Sequence, residues 1–181
     1  ITYNFDDKET HRNNHMGKSK SPSGSPVRSH AFRMTFLNSL KTVETSSTQV
    51  THDYCNFYLG KDQKKWVGGA KNYREVNYKN LYSGINLQVL GLENSLKYNL
   101  FVAPMADANN ISLFYEGLDN IKLEKGALLL KTSVNEMTEQ HPYAYQWIGG
   151  KRVEVPCEFV LNNNKVSFHF PRGYDKGYEL V

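Results

Sequence analysis

Short runs of alternating apolar and polar residues recur along the whole chain, separated by Gly, Asn and Pro. This is the pattern of half-buried strands joined by tight turns. The densest block runs from Asn56 to Gly117. The pattern predicts strands at Ile1–Phe5, Ala31–Leu37, Val50–Tyr58, Tyr73–Tyr78, Ile85–Leu90, Leu96–Val102, Ile111–Tyr115, Ile121–Leu123, Ala127–Lys131, Met137–Gln140, Ala144–Ile148, Lys151–Leu161 and Lys165–Phe170. Gly149-Gly150 and Asn162-Asn163-Asn164 sit between such runs, where positive φ is cheap, so both predict tight hairpins. Pro104–Asn110 predicts a loop with at most one helical turn. No helical period of 3.6 residues persists for three turns.

The fold class expected is therefore all-β: an antiparallel two-sheet β-sandwich built from hairpins and meanders, since an apolar sheet face needs a covering layer and no helix is available. Residues 1–181 read as a single β-rich domain. The segment at about 6–30 changes to Asp, Lys, His, Asn, Ser, Gly and Pro and reads as a flexible insertion loop. The chain opens directly on a strand pattern, so an excised part of a larger protein is expected.

Composition adds the abundance of rings, 12 Tyr, 9 Phe and 2 Trp, which favours strands. The net charge is +4, too small over this length for a nucleic-acid protein, and no partner of that kind is expected. Lys61, Lys64 and Lys65 are the one basic cluster, read as a solvated loop. No apolar run approaches the roughly 20 residues of a membrane-spanning helix, so no membrane insertion is expected. Cys55 and Cys157 lie outside any CxxC and in strand-like runs. They read as buried free thiols, with a single disulfide as the alternative.

Candidate chemistry is thin. His11 and His15 stand four apart, as paired metal ligands would on a helix, but their surroundings supply no further ligand. His141 has no Ser or Cys in a nucleophile setting beside it, and Ser83-Gly84 is a turn rather than part of GxSxG. Asp107, Glu116, Asp119, Glu136, Glu139, Glu154 and Glu158 are the carboxylates from which a glycosidase pair would have to come. Solvated faces account for them more simply. Gly68-Gly69-Ala70 lacks the Lys of a phosphate loop. No catalytic, metal or cofactor site is expected, and no enzyme activity. Trp66, Trp147, Tyr143 and Tyr145 are the candidate ligand-stacking rings, because flat rings with polar tips suit sugars and proteins alike.

Asn56-Phe57-Tyr58-Leu59-Gly60 with Lys65-Trp66, then Tyr73, Val76, Tyr78 and Leu81-Tyr82, then Gly84-Ile85-Asn86-Leu87, carry a resemblance. Leu96-Lys97-Tyr98-Asn99, Val102-Ala103-Pro104 with Ala106-Asp107, Ile111, Gly117, Gly126-Ala127-Leu128, Pro142-Tyr143-Ala144-Tyr145-Gln146, Val166-Ser167-Phe168, Tyr174-Asp175 and Leu180-Val181 extend it over about two thirds of the chain. The sequence resembles a β-rich, uncharacterised domain of large secreted or cell-surface Bacteroidota proteins, which often also carry SBBP β-propeller repeats, PKD or immunoglobulin-like modules and a gliding-motility or type IX secretion sorting domain. Asn86 and Asn99 stand where that family has Asp, Ser83 where it has Pro, and Met105 and Ala108 where it has Gly and Pro. Relatives also extend beyond both ends of the pattern.

The resemblance implies a non-catalytic structural, adhesive or assembly module of a secreted or outer-cell-surface bacterial protein, linked to type IX secretion or gliding motility. Its partners would be other domains of the same polypeptide, a cell-surface protein or a polysaccharide. The alternative, from the exposed-ring reading of Trp66 and Trp147, is a carbohydrate-binding module accessory to a polysaccharide-active enzyme.

Overall fold

A computed structural model describes residues 1–7, 28–93 and 95–181. Fourteen strands and two 3-10 turns are found among them. The insertion expected at about 6–30 lies largely outside the described residues, as do His11 and His15. Its margins are strand: Asp6 ends β1 (Thr2–Asp6) and Ser29 begins β2 (Ser29–Phe36).

The chain divides into two compact units, the first comprising residues 1–38, 108–145 and 153–174, the second 39–107, 146–152 and 175–181. The strands of the described residues form four sheets, of five, three, two and four strands. All-β is correct at the level of class.

In the first unit, β1, β2, β7 (Ser112–Glu116), β14 (Lys165–His169) and β13 (Glu158–Asn162) form the five-stranded sheet in that order. Its pairings are all antiparallel. Phe32 and Met34 alternate inward along β2, Leu113 and Tyr115 along β7, and Val166 on β14, all buried. Such a side chain contributes roughly 1.5–3 kcal/mol by leaving water. Tyr3 stacks on Phe32 at 4.6 Å between centroids, across a directly paired position of β1 and β2. A second, three-stranded sheet joins β10 (Glu136–Glu139), β9 (Ala127–Lys131) and β8 (Asn120–Glu124), with Leu128 and Leu130 as its buried face.

The strand expected over Lys151–Leu161 is two strands, β12 (Lys151–Val155) and β13, broken at Pro156, which has no N–H to give a ladder. β12 pairs with β11 (Ala144–Ile148) around the Gly149-Gly150 turn, where both glycines have positive φ as expected.

The second unit is built on the four-stranded sheet β3 (Glu44–Phe57), β4 (Val67–Tyr82), β5 (Ile85–Gly91) and β6 (Leu96–Val102). Its two faces differ. Val76, Val89 and Tyr98 stand in register across β4, β5 and β6, as do Tyr78, Leu87 and Leu100, giving an apolar face. On the other face Asn77, Gln88 and Asn99 stand in register instead. Gly84 turns β4 into β5 at φ 71°, and a Cβ there would come within 2.8 Å of the Ala106 Cβ, so the turn requires glycine on both counts.

Residues 175–181 are held to this unit by Gln146. Its Nε2 donates to the carbonyls of Asp175 at 2.7 Å and Tyr178 at 3.1 Å, and its Oε1 accepts from the Asp175 N–H at 2.9 Å. Leu180 then exchanges backbone hydrogen bonds with Val102 at 2.8 and 3.0 Å, and its side chain is buried.

Candidate functional site

β3 and β4 are far longer than the runs the sequence pattern marked. β5 pairs with β4 only from Glu75 onward. Beyond it, residues 49–57 and 67–74 pair with each other alone and form a two-stranded ribbon. A ribbon with water on both sides has no reason to alternate apolar and polar residues, which is why Gly68-Gly69 carries no strand signal. Its register shifts between Val50 and Tyr54 and again between Cys55 and Phe57, and such bulges increase the local twist.

The end of the ribbon is organised around Trp66. The Trp66 indole N–H donates to the Gly60 carbonyl at 3.1 Å, and the Tyr58 ring meets the indole edge-on at 5.5 Å. The Tyr58 hydroxyl lies 3.0 Å from where a Cβ on Gly68 would stand, so Gly68 leaves room for that ring. The Asn56 side-chain oxygen accepts from the Gly69 N–H at 2.8 Å, closing the bulge of β4. Between the strands, Asp62 caps the 3-10 turn Gln63–Lys65 by accepting from the Lys64 N–H. Asn56, Tyr58, Gly60 and Trp66, the first landmark of the resemblance, thus specify a tip rather than a core.

This tip exposes apolar surface. Tyr58 is 59% and Leu59 75% exposed, and Trp66 remains 38% exposed despite its two local partners. Tyr54, 65% exposed, lies directly across from Lys71, and Val50 across from Tyr73, so one face of the ribbon carries rings on both sides of a lysine.

The same face continues onto the sheet as a ladder of amides. Asn99 Nδ2 donates to Gln88 Oε1 at 2.9 Å, and Gln88 Nε2 donates to Glu75 Oε1 at 3.1 Å. Asn77 and Gln49 also donate to the Glu75 carboxylate, each at 2.8 Å. The bonds from Asn77, then Gln88, hold the Glu75 carboxyl below its ordinary range.

Asn86, the other position where the resembled family carries Asp, has a different task. Its Oδ1 accepts from the Asn80 N–H at 2.9 Å, supporting Asn80 at φ 54° in the irregular stretch of β4. An aspartate would accept the same bond.

Of the four rings singled out from sequence, Tyr143 and Tyr145 come together at 5.9 Å, and Trp66 finds Tyr58 instead. Trp147 is exposed on β11, beside the Gly-Gly turn. Tyr54, Tyr58, Tyr73 and Lys71 were not singled out. Only the pairing of β3 with β4 brings them to one surface.

The carboxylates weighed for hydrolysis mostly face solvent: Glu116, Asp119, Glu136, Glu154 and Glu158 are exposed. Glu139 accepts a 2.6 Å hydrogen bond from the hydroxyl of buried Tyr115. Burial first, then the charge of Glu139, pushes the Tyr115 phenol far above its ordinary value, and the same two causes raise Tyr3. His141 is exposed against the β8–β9 turn, its Cβ 3.7 Å from where a Cβ on Gly126 would be. Among the described residues no group of three or more His, Cys, Asp or Glu is placed to hold a metal. No helix among them is long and apolar enough to cross a membrane.

Both cysteines are free. Cys157 is half-buried, and burial followed by the Glu158 charge pushes its thiol up to about 11. Cys55, expected to be buried, is exposed: it lies on the ribbon with its thiol 3.6 Å from Asn72 Oδ1, and no core backs that strand.

Comparison with curated proteins and with solved structures gives no match. The family model for a domain of unknown function, DUF7948, matches residues 1–181, and the chain belongs to that family.

Proposed function

We propose that this domain is a non-catalytic adhesive or assembly module of a secreted or cell-surface bacterial protein, and that the end of the β3–β4 ribbon is its attachment surface. The observation that carries this reading is the outward placement of Tyr54, Tyr58, Leu59, Trp66 and Tyr73 on a ribbon with no core beneath it. Large apolar groups left in water on a tip whose backbone is held by specific side-chain bonds have a use in contact rather than in folding. The bacterial, secreted setting, with its link to type IX secretion or gliding motility, rests on the resemblance set out above.

The test uses the full-length gene product in the bacterium that makes it. Residues 59–66 are replaced by an Asn-Gly turn, which closes a two-stranded ribbon without a tip. The protein is expected to be made and to resist protease as before, while attachment of the cells, or incorporation of the protein into its surface assembly, falls. Unchanged attachment and incorporation overturn the proposal. So does substrate turnover by the purified domain.

A further inference from the structure

The rings of the ribbon are interleaved with cations. Lys71 is the direct cross-strand partner of Tyr54 and stands two positions before Tyr73, so three neighbouring side chains of one face read ring, cation, ring. Residues two apart on a strand are roughly 7 Å apart, and directly paired ones roughly 5 Å. Lys61, Lys64 and Lys65 lie in the tip segment that leads into Trp66. Over residues 49–74, Lys61, Lys64, Lys65, Lys71 and Arg74 are set against only Asp53 and Asp62, a net charge of +3 in a chain whose total is +4. Asp62 is itself engaged, capping the 3-10 turn and lying 3.9 Å from Lys65. The ribbon therefore carries a local positive excess in the place where its rings are exposed.

We propose that this surface binds an acidic polysaccharide, a glycan chain carrying carboxylate or sulfate groups; the inference rests on reading the ribbon as the attachment surface and names its ligand. Flat C–H faces of sugar rings pack on Tyr and Trp, and the anionic substituents meet the intervening lysines. Charge complementarity selects the acidic chain over a neutral one.

Geometry selects a thin chain over the other polyanions. A ribbon two strands wide does not present the roughly 800 Å² per partner of a stable protein interface. A nucleic acid would call on roughly 6–10 phosphate contacts, more than the cations here supply. An anchor for anionic lipid gathers its rings at one end, whereas here Tyr54 and Tyr73 lie along the ribbon and Tyr58 and Trp66 at its end.

The experiment is affinity electrophoresis of the purified domain in gels containing alginate, dextran sulfate or neutral dextran, at two salt concentrations. Retardation by alginate or dextran sulfate and not by dextran is expected, and the two acidic gels distinguish carboxylate from sulfate recognition. Trp66→Ala, the pair Tyr54→Ala with Tyr73→Ala, and the set Lys61→Gln, Lys64→Gln and Lys65→Gln are each expected to weaken binding by about tenfold or more. Thermal unfolding of each variant establishes that the fold is kept.

Equal retardation by neutral dextran overturns the proposal. Loss on removing the lysines with none on removing the rings overturns it too, since that is simple ion exchange. Tighter binding to a thymidine oligonucleotide or to phosphatidylserine vesicles than to either acidic glycan also overturns it. If no acidic glycan binds while cells with the shortened ribbon still lose attachment, this inference falls and the attachment reading stands.

Discussion

Replacing Gln146 by Leu tests how the last residues of the chain are held. Gln146 is only 2% exposed, and its amide makes three hydrogen bonds to main-chain groups of Asp175 and Tyr178. Leucine has nearly the same volume, so no large cavity opens, but three polar groups lose their partner together. A neutral hydrogen bond nets about 0.5–1.5 kcal/mol, and a buried group left unpaired costs about 1–3 kcal/mol. With some rescue by water at the exposed ends, the expected loss is about 2–4 kcal/mol, a large share of the roughly 5–15 kcal/mol that holds a domain together.

Urea titration reads the global part of this loss. Hydrogen exchange at the Leu180 amide, which bonds to the Val102 carbonyl, reads local release of residues 175–181. That exchange should accelerate by roughly 30- to 700-fold, the equivalent of 2–4 kcal/mol. Gln146→Glu is the sharper probe. Its carboxylate would face two carbonyl oxygens, which raises its folded pKa above the unfolded value of about 4.3. The folded state would then hold the proton more tightly, so stability lost at neutral pH should return as pH falls toward that value. A change under about 0.5 kcal/mol in Gln146→Leu, with Leu180 protection intact, would refute the assignment of Gln146 as the clasp.

Tyr3 and Tyr115 have folded phenol pKa values above their unfolded ones, so their contribution is complete below about pH 10 and is lost as pH rises beyond it. Urea midpoints measured from pH 8 to 11 should fall for the natural protein and fall less steeply for the Tyr3→Phe, Tyr115→Phe double variant. With a thiol reagent at pH 8, Cys55 should be modified first and Cys157 only slowly, its thiol being held near 11; mass spectrometry of partial digests gives the order, and equal rates would contradict it. Asn99→Asp should cost about 1 kcal/mol, by turning a donor to Gln88 into a second acceptor, while Asn86→Asp should be nearly neutral because it keeps the acceptor for Asn80; thermal melts compare them.

Much of the fold was legible because the physics was local. The alternation that opens β6 and the apolar runs of β9 and β11 put those strands at the residues expected, and Gly149-Gly150 announced its turn. What escaped the sequence depends on pairing. β4 carries Gly68-Gly69 in its outer half, where solvent on both sides removes any hydrophobic period, so only the contact with β3 reveals a strand.

The candidate site divides in the same way. Trp66 could be chosen as a ring needing a purpose, but Lys71 joins Tyr54 only through the register set by the shift between Val50 and Tyr54. Gln146 is the single amide among Ala144, Tyr145, Trp147 and Ile148. Its burial is decided by backbone groups about thirty positions away.

The ribbon also bears on how the family can vary. From residue 49 to residue 74 its hydrogen bonds are made within its own two strands, its tip is stapled by its own side chains, and none of its residues joins the buried core. Lengthening such a closed segment costs little, on the order of 0.6 kcal/mol for each doubling of the loop. Insertions, deletions and exchanged rings there are therefore nearly independent of the stability of everything beneath, and a scaffold of this kind can change what it touches without renegotiating how it folds.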